Sequence, residues 1–156
     1  MPIIEIQTQL NAPIERCYLL SLSVDLHVSS AQQTGEKIVA GVRHGIMKEG
    51  QSVTWRAKHF GINQDLTSIV HSLHPPNSFV SEMTRGAFKK LYHQHIFEAN
   101  DGGTLMTDKF EFEAPFGLLG KLVSALVLKK YMTNFLLIRN AHIKQVAESD
   151  AWIALL

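Results

Sequence analysis

The stretch LYHQHIFEANDGGTLMTDKFEF, residues 91–112, contains two segments in which apolar and polar side chains alternate. Such alternation is typical of β-strands that bury one face. The NDGG sequence between the segments supplies residues that tolerate the positive φ angles of a tight turn. The stretch therefore predicts a β-hairpin with one face in the core of the protein.

The buried face of this predicted hairpin also carries ionisable side chains. Its apolar residues are Leu91, Phe97, Met106, Phe110 and Phe112. The same alternation puts His93, His95 and Asp108 among them. Burying such groups without partners costs several kcal/mol, so a purely structural core seldom contains this many. A few polar groups in a mainly apolar lining are typical of a small-molecule pocket.

The rest of the chain predicts further strands and a long closing helix. Strands are expected at residues 3–10, 37–45, 79–86, 87–99 and 104–114, and as a pair hinged at Phe60–Gly61 within 51–73. Two short helices follow the first strand: one in residues 11–22, with Pro13 as its first helical residue, and one around 24–32. Residues 117–149 predict one helix of about nine turns.

Composition indicates an ordinary globular protein. The 156 residues are 46% hydrophobic and 19% charged, which predicts one domain spanning 1–156. The formal charge is +1 and the lysines and arginines are scattered along the chain, so no cationic surface for nucleic acid is expected. Lys121, Lys129 and Lys130 interrupt the most apolar segment, so we expect no stable membrane span. The start, MPIIEIQTQL, lacks a secretion signal, and we expect a cytoplasmic protein.

The order of elements and four sequence segments resemble the SRPBCC superfamily, also called START-like or Bet v 1-like. The segments are NAPIERCYLL, VTWRAKHFG, YHQHIFE and GTLMTDKFEFEAPFGLLGKL. The likeness covers nearly the whole chain and is similar to a bacterial branch labelled polyketide cyclase/dehydrase-like. It implies an α+β helix-grip fold, in which a curved seven-stranded antiparallel sheet wraps around a long C-terminal helix. It also implies a hydrophobic tunnel between sheet and helix.

Two functions stay open for the polar face. In the first, the protein binds a small hydrophobic or amphipathic ligand, such as a lipid, a polyketide or an isoprenoid-like compound. The expected ligand-binding residues are Trp55, Phe79, Met83, His93, His95, Phe97, Asp108, Phe110, Tyr131 and Phe135. In the second, the protein is a cyclase or dehydratase in which His95 or His93, oriented by Asp108, acts as general base.

Metal and cofactor chemistry are not expected. A pair of histidines two residues apart is a weak metal signal, since catalytic zinc uses three protein ligands with further support. No phosphate loop or cofactor motif is present in the sequence. Two other residues each have two possible positions. His27 lies either at the mouth of the cavity or on the surface. Arg85 either binds an anionic ligand or lies in solvent at the end of a strand.

The closing helix supports a further hypothesis. Its apolar positions cover more arc than one sheet face needs. The apolar side chains outside that face are expected either to form a homodimer interface or a membrane-surface contact, or to be covered because the sheet wraps the helix more completely.

Overall fold

A computed structural model describes residues 2–31, 35–59, 61–113 and 124–156, with only the backbone described at Ser124 and Ala125. The strands are β1 (Ile3–Leu10), β2 (Lys37–Gly41), β3 (Ser52–His59), β4 (Ile62–His74), β5 (Ser78–Arg85), β6 (Lys90–Asn100) and β7 (Gly103–Glu113). The helices are α1 (Ile14–Ser21), α2 (Val24–Ser30) and α3 (Lys129–Ala147). The predicted order of a strand, two short helices, a run of strands and a closing helix is confirmed.

The strands form one antiparallel sheet in the order β1-β7-β6-β5-β4-β3-β2. The sheet curves around α3. On one side, Asn140 of α3 donates a hydrogen bond to Asp108 of β7. On the other, Tyr131 of α3 is hydrogen-bonded to His59 of β3, four strands away in the sheet order. This arrangement confirms the predicted α+β helix-grip architecture.

The closing helix is shorter than predicted among the described residues. Residues 117–123 of the predicted helix lie outside the described part of the chain. Ser124–Leu128 form a π-helical turn, and α3 continues from Lys129 to Ala147. A separate 3₁₀ turn, Asp150–Ala154, follows, because the Ser149 hydroxyl accepts a hydrogen bond from the Ala151 amide and starts a new turn.

Two other predicted boundaries were wrong. Pro13 is the N-cap of α1 and not its first helical residue, because its ψ of 148° is extended. The strand predicted over residues 37–45 ends at Gly41, whose φ of 82° turns the chain out of the sheet. The Arg43 side chain then donates hydrogen bonds back to the carbonyls of Ile38 and Val39.

The apolar core consists of two clusters. One packs α1, α2 and the C-terminal end of α3 against the sheet and includes Leu20, Phe97 and Ile143. The other packs the N-terminal half of α3 against β1, β6 and β7 and includes Phe112 and Leu136. The space between the two clusters holds the cavity described next.

Candidate functional site

A cavity of 570 Å³ lies between the sheet and α3. This volume is within the range of pockets that hold drug-sized molecules. Its wall combines residues of both core clusters, including Leu22, Val53 and Phe79 of one and Leu91 and Leu136 of the other. The fold therefore leaves a mainly apolar space where a sheet and a helix would otherwise close on each other.

Most of the predicted ligand-binding residues lie on the cavity wall. They are Trp55, Phe79, His93, His95, Phe110, Tyr131 and Phe135. His59 lies four residues after Trp55 on β3, on the same face of the strand, and it also lines the cavity and contacts the ring of Tyr131. Strand alternation accounts for the members of this surface that lie on strands, and the four-residue spacing along α3 accounts for Tyr131 and Phe135.

Three predicted residues lie elsewhere. Phe97 is 1% exposed and is covered by Tyr18 of α1, whose ring contacts it edge-on at 5.5 Å between centroids. Met83 is partly buried against the second core cluster. Asp108 is 1% exposed and lies behind the two histidines. Asp108 is therefore positioned to hold the histidines and not to touch a ligand directly.

Asp108 is the centre of a buried polar network. Its Oδ1 accepts a hydrogen bond from His93 Nε2 at 2.8 Å and lies 3.1 Å from His95 Nδ1. Its Oδ2 accepts a hydrogen bond from Asn140 Nδ2 at 2.7 Å, and the same amide nitrogen is 3.3 Å from Thr8 Oγ1. The network fixes both imidazoles through atoms of three strands and one helix.

The imidazole of His95 stacks on the ring of Phe79 and lies against the tilted imidazole of His93. The ring centroids of His93 and His95 are 3.8 Å apart, and those of His95 and Phe79 are 4.1 Å apart. Asp108 faces Nε2 of His93 and Nδ1 of His95, which favours the tautomers that carry a proton on these two nitrogens. Nδ1 of His93 and Nε2 of His95 can then act as hydrogen-bond acceptors. This arrangement orients the rings without using their whole hydrogen-bonding capacity.

Burial controls the protonation states in the network. Burial and the neighbouring His95 lower the pKa of His93 to about 4, against the opposing effect of Asp108. Burial alone would raise the pKa of Asp108, but hydrogen bonds from His93 and His95 outweigh it and hold that pKa well below its usual value. Asp108 is therefore an ionised carboxylate facing a neutral His93 near pH 7.

A metal ion fits the network poorly. The ring nitrogens of His93 and His95 and a carboxylate oxygen of Asp108 lie within 4.8 Å of one another. However, the 2.8 Å between His93 Nε2 and Asp108 Oδ1 is a hydrogen-bond distance. Two ligand atoms on one tetrahedral zinc ion would be roughly 3.3 Å apart, given bonds of about 2.05 Å. The expectation that no metal binds here stays a prediction.

Solved structures of other proteins share this architecture. TTHA0849 from Thermus thermophilus matches with a TM-score of 0.72 and 17% identity, over 95% of this chain and 100% of its own. SA2116, a protein of unknown function from Staphylococcus aureus, matches with a TM-score of 0.69 and 16% identity, over 96% of this chain and 95% of its own. Major latex-like protein 151 from Panax ginseng matches with a TM-score of 0.68 and 16% identity, over 95% of this chain and 98% of its own.

The chain has the SRPBCC, or Bet v 1-like, helix-grip fold. No family model matches the sequence, and no curated protein matches it. At identities this low the likeness establishes the fold alone. Within the described residues of this helix-grip protein, none of the helices combines the length and the hydropathy needed to cross a bilayer.

The helix-grip cavity also contains ionisable residues that the sequence did not single out. Arg139 and Glu36 lie on its wall, and His27 lies there too, at the position left open between cavity mouth and surface. His27 Nδ1–H donates to the Ser23 carbonyl at 2.6 Å, and burial followed by the nearby Arg139 lowers the pKa of His27 to about 3. The other open candidate, Arg85, is an exposed strand-end residue.

A sequence signal for two missed residues existed. Tyr131 and Phe135 were predicted to face the cavity, and Arg139 follows Phe135 at the same four-residue spacing. Side chains four positions apart lie on one face of a helix. In the same way Asn140 continues the buried stripe of Leu136. A polar residue that continues an apolar stripe is the pattern that would have identified both.

Proposed function

We propose that this protein binds a small hydrophobic or amphipathic molecule, such as a lipid, a polyketide or an isoprenoid-like compound, between the sheet and α3. The observation that carries the proposal is the 570 Å³ cavity with its mainly apolar wall. Burying an apolar ligand there gains about 25 cal/mol for each Å² removed from water. In this proposal His93 and His95 contribute a polar wall that orients the ligand.

The test is native mass spectrometry of freshly purified protein, followed by titration with the neutral fluorophore N-phenyl-1-naphthylamine. We expect either a co-purified molecule near one per chain or saturable binding of the fluorophore. Trp55 provides an internal reporter, because it lines the cavity, whereas Trp152, the chain's other tryptophan, packs against Arg16. In the variant Trp152→Phe, bound fluorophore should quench the emission that remains. A protein that binds neither would contradict the proposal.

The second candidate is a cyclase or dehydratase, and one observation favours it. Asp108 lies within hydrogen-bonding distance of both His93 Nε2 and His95 Nδ1, the arrangement that orients a general base. Because burial lowers the pKa of His93 to about 4, His93 is a weak base. We therefore assign the base role in this alternative to His95. His95 would remove a proton next to one ketone, the enolate carbon would bond to the carbonyl carbon of a second ketone, and the proton would go to that oxygen to give a hydroxyl. Removal of a second proton from the same carbon and its return to the hydroxyl would form a C=C bond and release water.

Incubation with a linear poly-β-ketone thioester separates the two candidates. An enzyme would give a cyclised isomer or a product lighter by one water, and His95→Gln would abolish turnover while binding persisted. A binder would return the compound unchanged. Turnover that survives in His95→Gln would contradict the assignment of His95 as base.

The homodimer expected from the closing helix stays a proposal. Leu137 and Ile138 lie side by side on the outer face of α3, each 47% exposed, and Leu126 ahead of them is 75% exposed. We propose that a second copy of the chain covers this face. Sedimentation equilibrium should then give a dimer for the wild type and a monomer for Leu137→Glu, whereas a monomeric wild type would contradict the proposal.

A further inference from the structure

Arg139 brings a positive charge into a cavity with a mainly apolar wall. It lies on the cavity-facing stripe of α3 together with Tyr131 and Phe135, at successive four-residue steps. Its guanidinium carbon lies 5.1 Å from the centre of the Phe135 ring, a cation–π contact. The helical stripe that brings Tyr131 and Phe135 to the cavity wall therefore also brings the charge of Arg139 there.

Arg139 lacks a hydrogen-bonding partner in the described part of the chain. Its Nε is fully buried and donates to no acceptor there. The guanidinium also forms no ion pair with any described carboxylate, although a guanidinium offers five N–H donors suited to planar anions. Arg139 as a whole is half-buried, and a cation that is partly removed from water without a paired counter-ion is less favourable than a paired one.

The acidic groups that interact electrostatically with Arg139, namely Glu36 and Asp108, form no ion pair with it. Asp108 already accepts hydrogen bonds from His93 and Asn140, and His95 also contacts it. Glu36 lines the cavity and attracts Arg139 electrostatically, but no hydrogen bond or ion pair joins the two described side chains, and burial raises the pKa of Glu36. His27 is held neutral, with burial first and Arg139 second among the causes of its lowered pKa. Arg139 is left as the cation that a ligand can pair with.

We infer that the ligand of this cavity carries a carboxylate, which the guanidinium of Arg139 binds through paired N–H donors, while the apolar body of the ligand fills the rest of the space. The inference rests on the proposed binding function and names the chemical class of its ligand. Paired N–H···O bonds from arginine to a carboxylate are geometrically specific and about twice as strong as neutral hydrogen bonds. The contact would give Arg139 the paired hydrogen-bond acceptors that no described residue provides.

A matched pair of ligands tests the inference. Dodecanoate and dodecanol have the same alkyl chain and differ in the head group, and each is measured by displacement of N-phenyl-1-naphthylamine. We expect dodecanoate to bind the wild type about 10-fold or more tightly than dodecanol, since a hydrogen bond to a charged group contributes about 1.5 to 3 kcal/mol. Arg139→Gln should remove that preference by weakening dodecanoate binding about 10-fold or more, with a much smaller change for dodecanol.

Further variants keep the test independent of folding. Arg139→Lys retains the charge without the planar donor pair and should give an intermediate affinity for dodecanoate. Glu36→Gln removes a competing carboxyl group and should tighten dodecanoate binding, a gain that misfolding does not produce. Arg85→Gln, at an exposed position, is the control and should change neither affinity.

The outcomes separate this inference from the proposed function. If the fluorophore and dodecanol bind but dodecanoate has no advantage, or if Arg139→Gln weakens both ligands equally, the carboxylate inference is overturned and the binding function stands. If neither the fluorophore nor either dodecyl compound binds, the proposed function fails and the inference fails with it.

Discussion

Asp108 shows how one residue organises the polar wall of the cavity. It is 1% exposed, and its two oxygens contact donors from β6 and α3, namely His93, His95 and Asn140. A buried carboxylate is tolerated only when such donors replace the lost water. The same contacts fix the orientation of both imidazoles, so stability and the geometry of the site depend on one side chain.

Asp108→Asn should destabilise the protein although the side chain at position 108 keeps nearly the same size. The amide presents N–H groups where the carboxylate accepts hydrogen bonds, so at least one donor of His93, His95 or Asn140 loses its partner. We expect the free energy of unfolding to fall by roughly 2 to 4 kcal/mol. Urea denaturation measures the loss, with Asp101→Asn in the exposed turn as the control. Equal stability of the two variants would contradict the network.

His93 should make stability depend on pH below its ordinary pKa. Burial lowers its pKa from 6.5 to about 4, so between these values the unfolded chain holds a proton that the folded chain does not. The free energy of unfolding therefore falls as the pH drops through this window, by up to about 1.4 kcal/mol per pH unit. Asp108, whose folded pKa is also lowered, adds a loss of the same sign at more acidic pH.

Urea denaturation of the wild type and His93→Gln between about pH 7 and pH 5 measures this dependence. The free energy of unfolding of His93→Gln should depend less steeply on pH than that of the wild type, by the equivalent of up to one bound proton. His74→Gln, at an exposed position, is the control and should keep the wild-type slope. Identical slopes for wild type and His93→Gln would mean that burial does not hold His93 neutral.

At the scale of elements, strand alternation predicted which side chains face inward. His95 and Asp108 are directly paired in the β6–β7 ladder, so a two-residue period on each strand was enough to bring them together. Alternation could not reveal which part of that face is covered. Phe97 lies on the same face as His95, yet α1 packs over it, and such long-range coverage has no local sequence pattern.

The helix contribution to the site was harder to predict. The sequence predicts Tyr131 and Phe135 as cavity residues but gives no such indication for Arg139, because an arginine on an amphipathic helix is usually solvated. Its placement depends on how far the sheet curves around α3. Glu36 similarly precedes β2 and reaches the cavity through tertiary packing alone.

The start of β7 should tolerate no side chain at Gly103. Its φ is 125°, and a Cβ there would lie 2.3 Å from the Leu10 carbonyl oxygen and 2.8 Å from the Ala12 nitrogen. Gly103→Ala should therefore lower the free energy of unfolding by roughly 2 to 4 kcal/mol, from backbone strain plus the clash. Thermal or urea denaturation measures the change.

Gly45→Ala is the matched control for that substitution. Gly45 has a φ of 87°, but no atom lies within 4 Å of a Cβ built there. Gly45→Ala should lower the free energy of unfolding by about 1 kcal/mol, from backbone strain alone. If Gly103→Ala is no worse than Gly45→Ala, the close approach of β7 to the segment after β1 has no energetic effect.

At the scale of the whole molecule, the cavity replaces packing that the fold would otherwise contain. Ala57 of β3 is 5% exposed and lines the cavity. Ala57→Phe should fill part of the space, raise the free energy of unfolding by about 1 kcal/mol and weaken binding of N-phenyl-1-naphthylamine. Lys58→Phe puts the same ring on the opposite face and should leave binding unchanged. Undiminished binding to Ala57→Phe would locate the fluorophore elsewhere.

The strand order has a consequence for biosynthesis. Each strand from β3 to β7 can pair with its predecessor as soon as it has been made, but β1 pairs with β7, which joins Ile3 to Glu111. At about 5 to 20 residues per second, a ribosome needs roughly 5 to 20 s to synthesise the intervening chain. During that interval β1 is an alternating apolar segment without a partner, so this is when the nascent chain would benefit most from a chaperone.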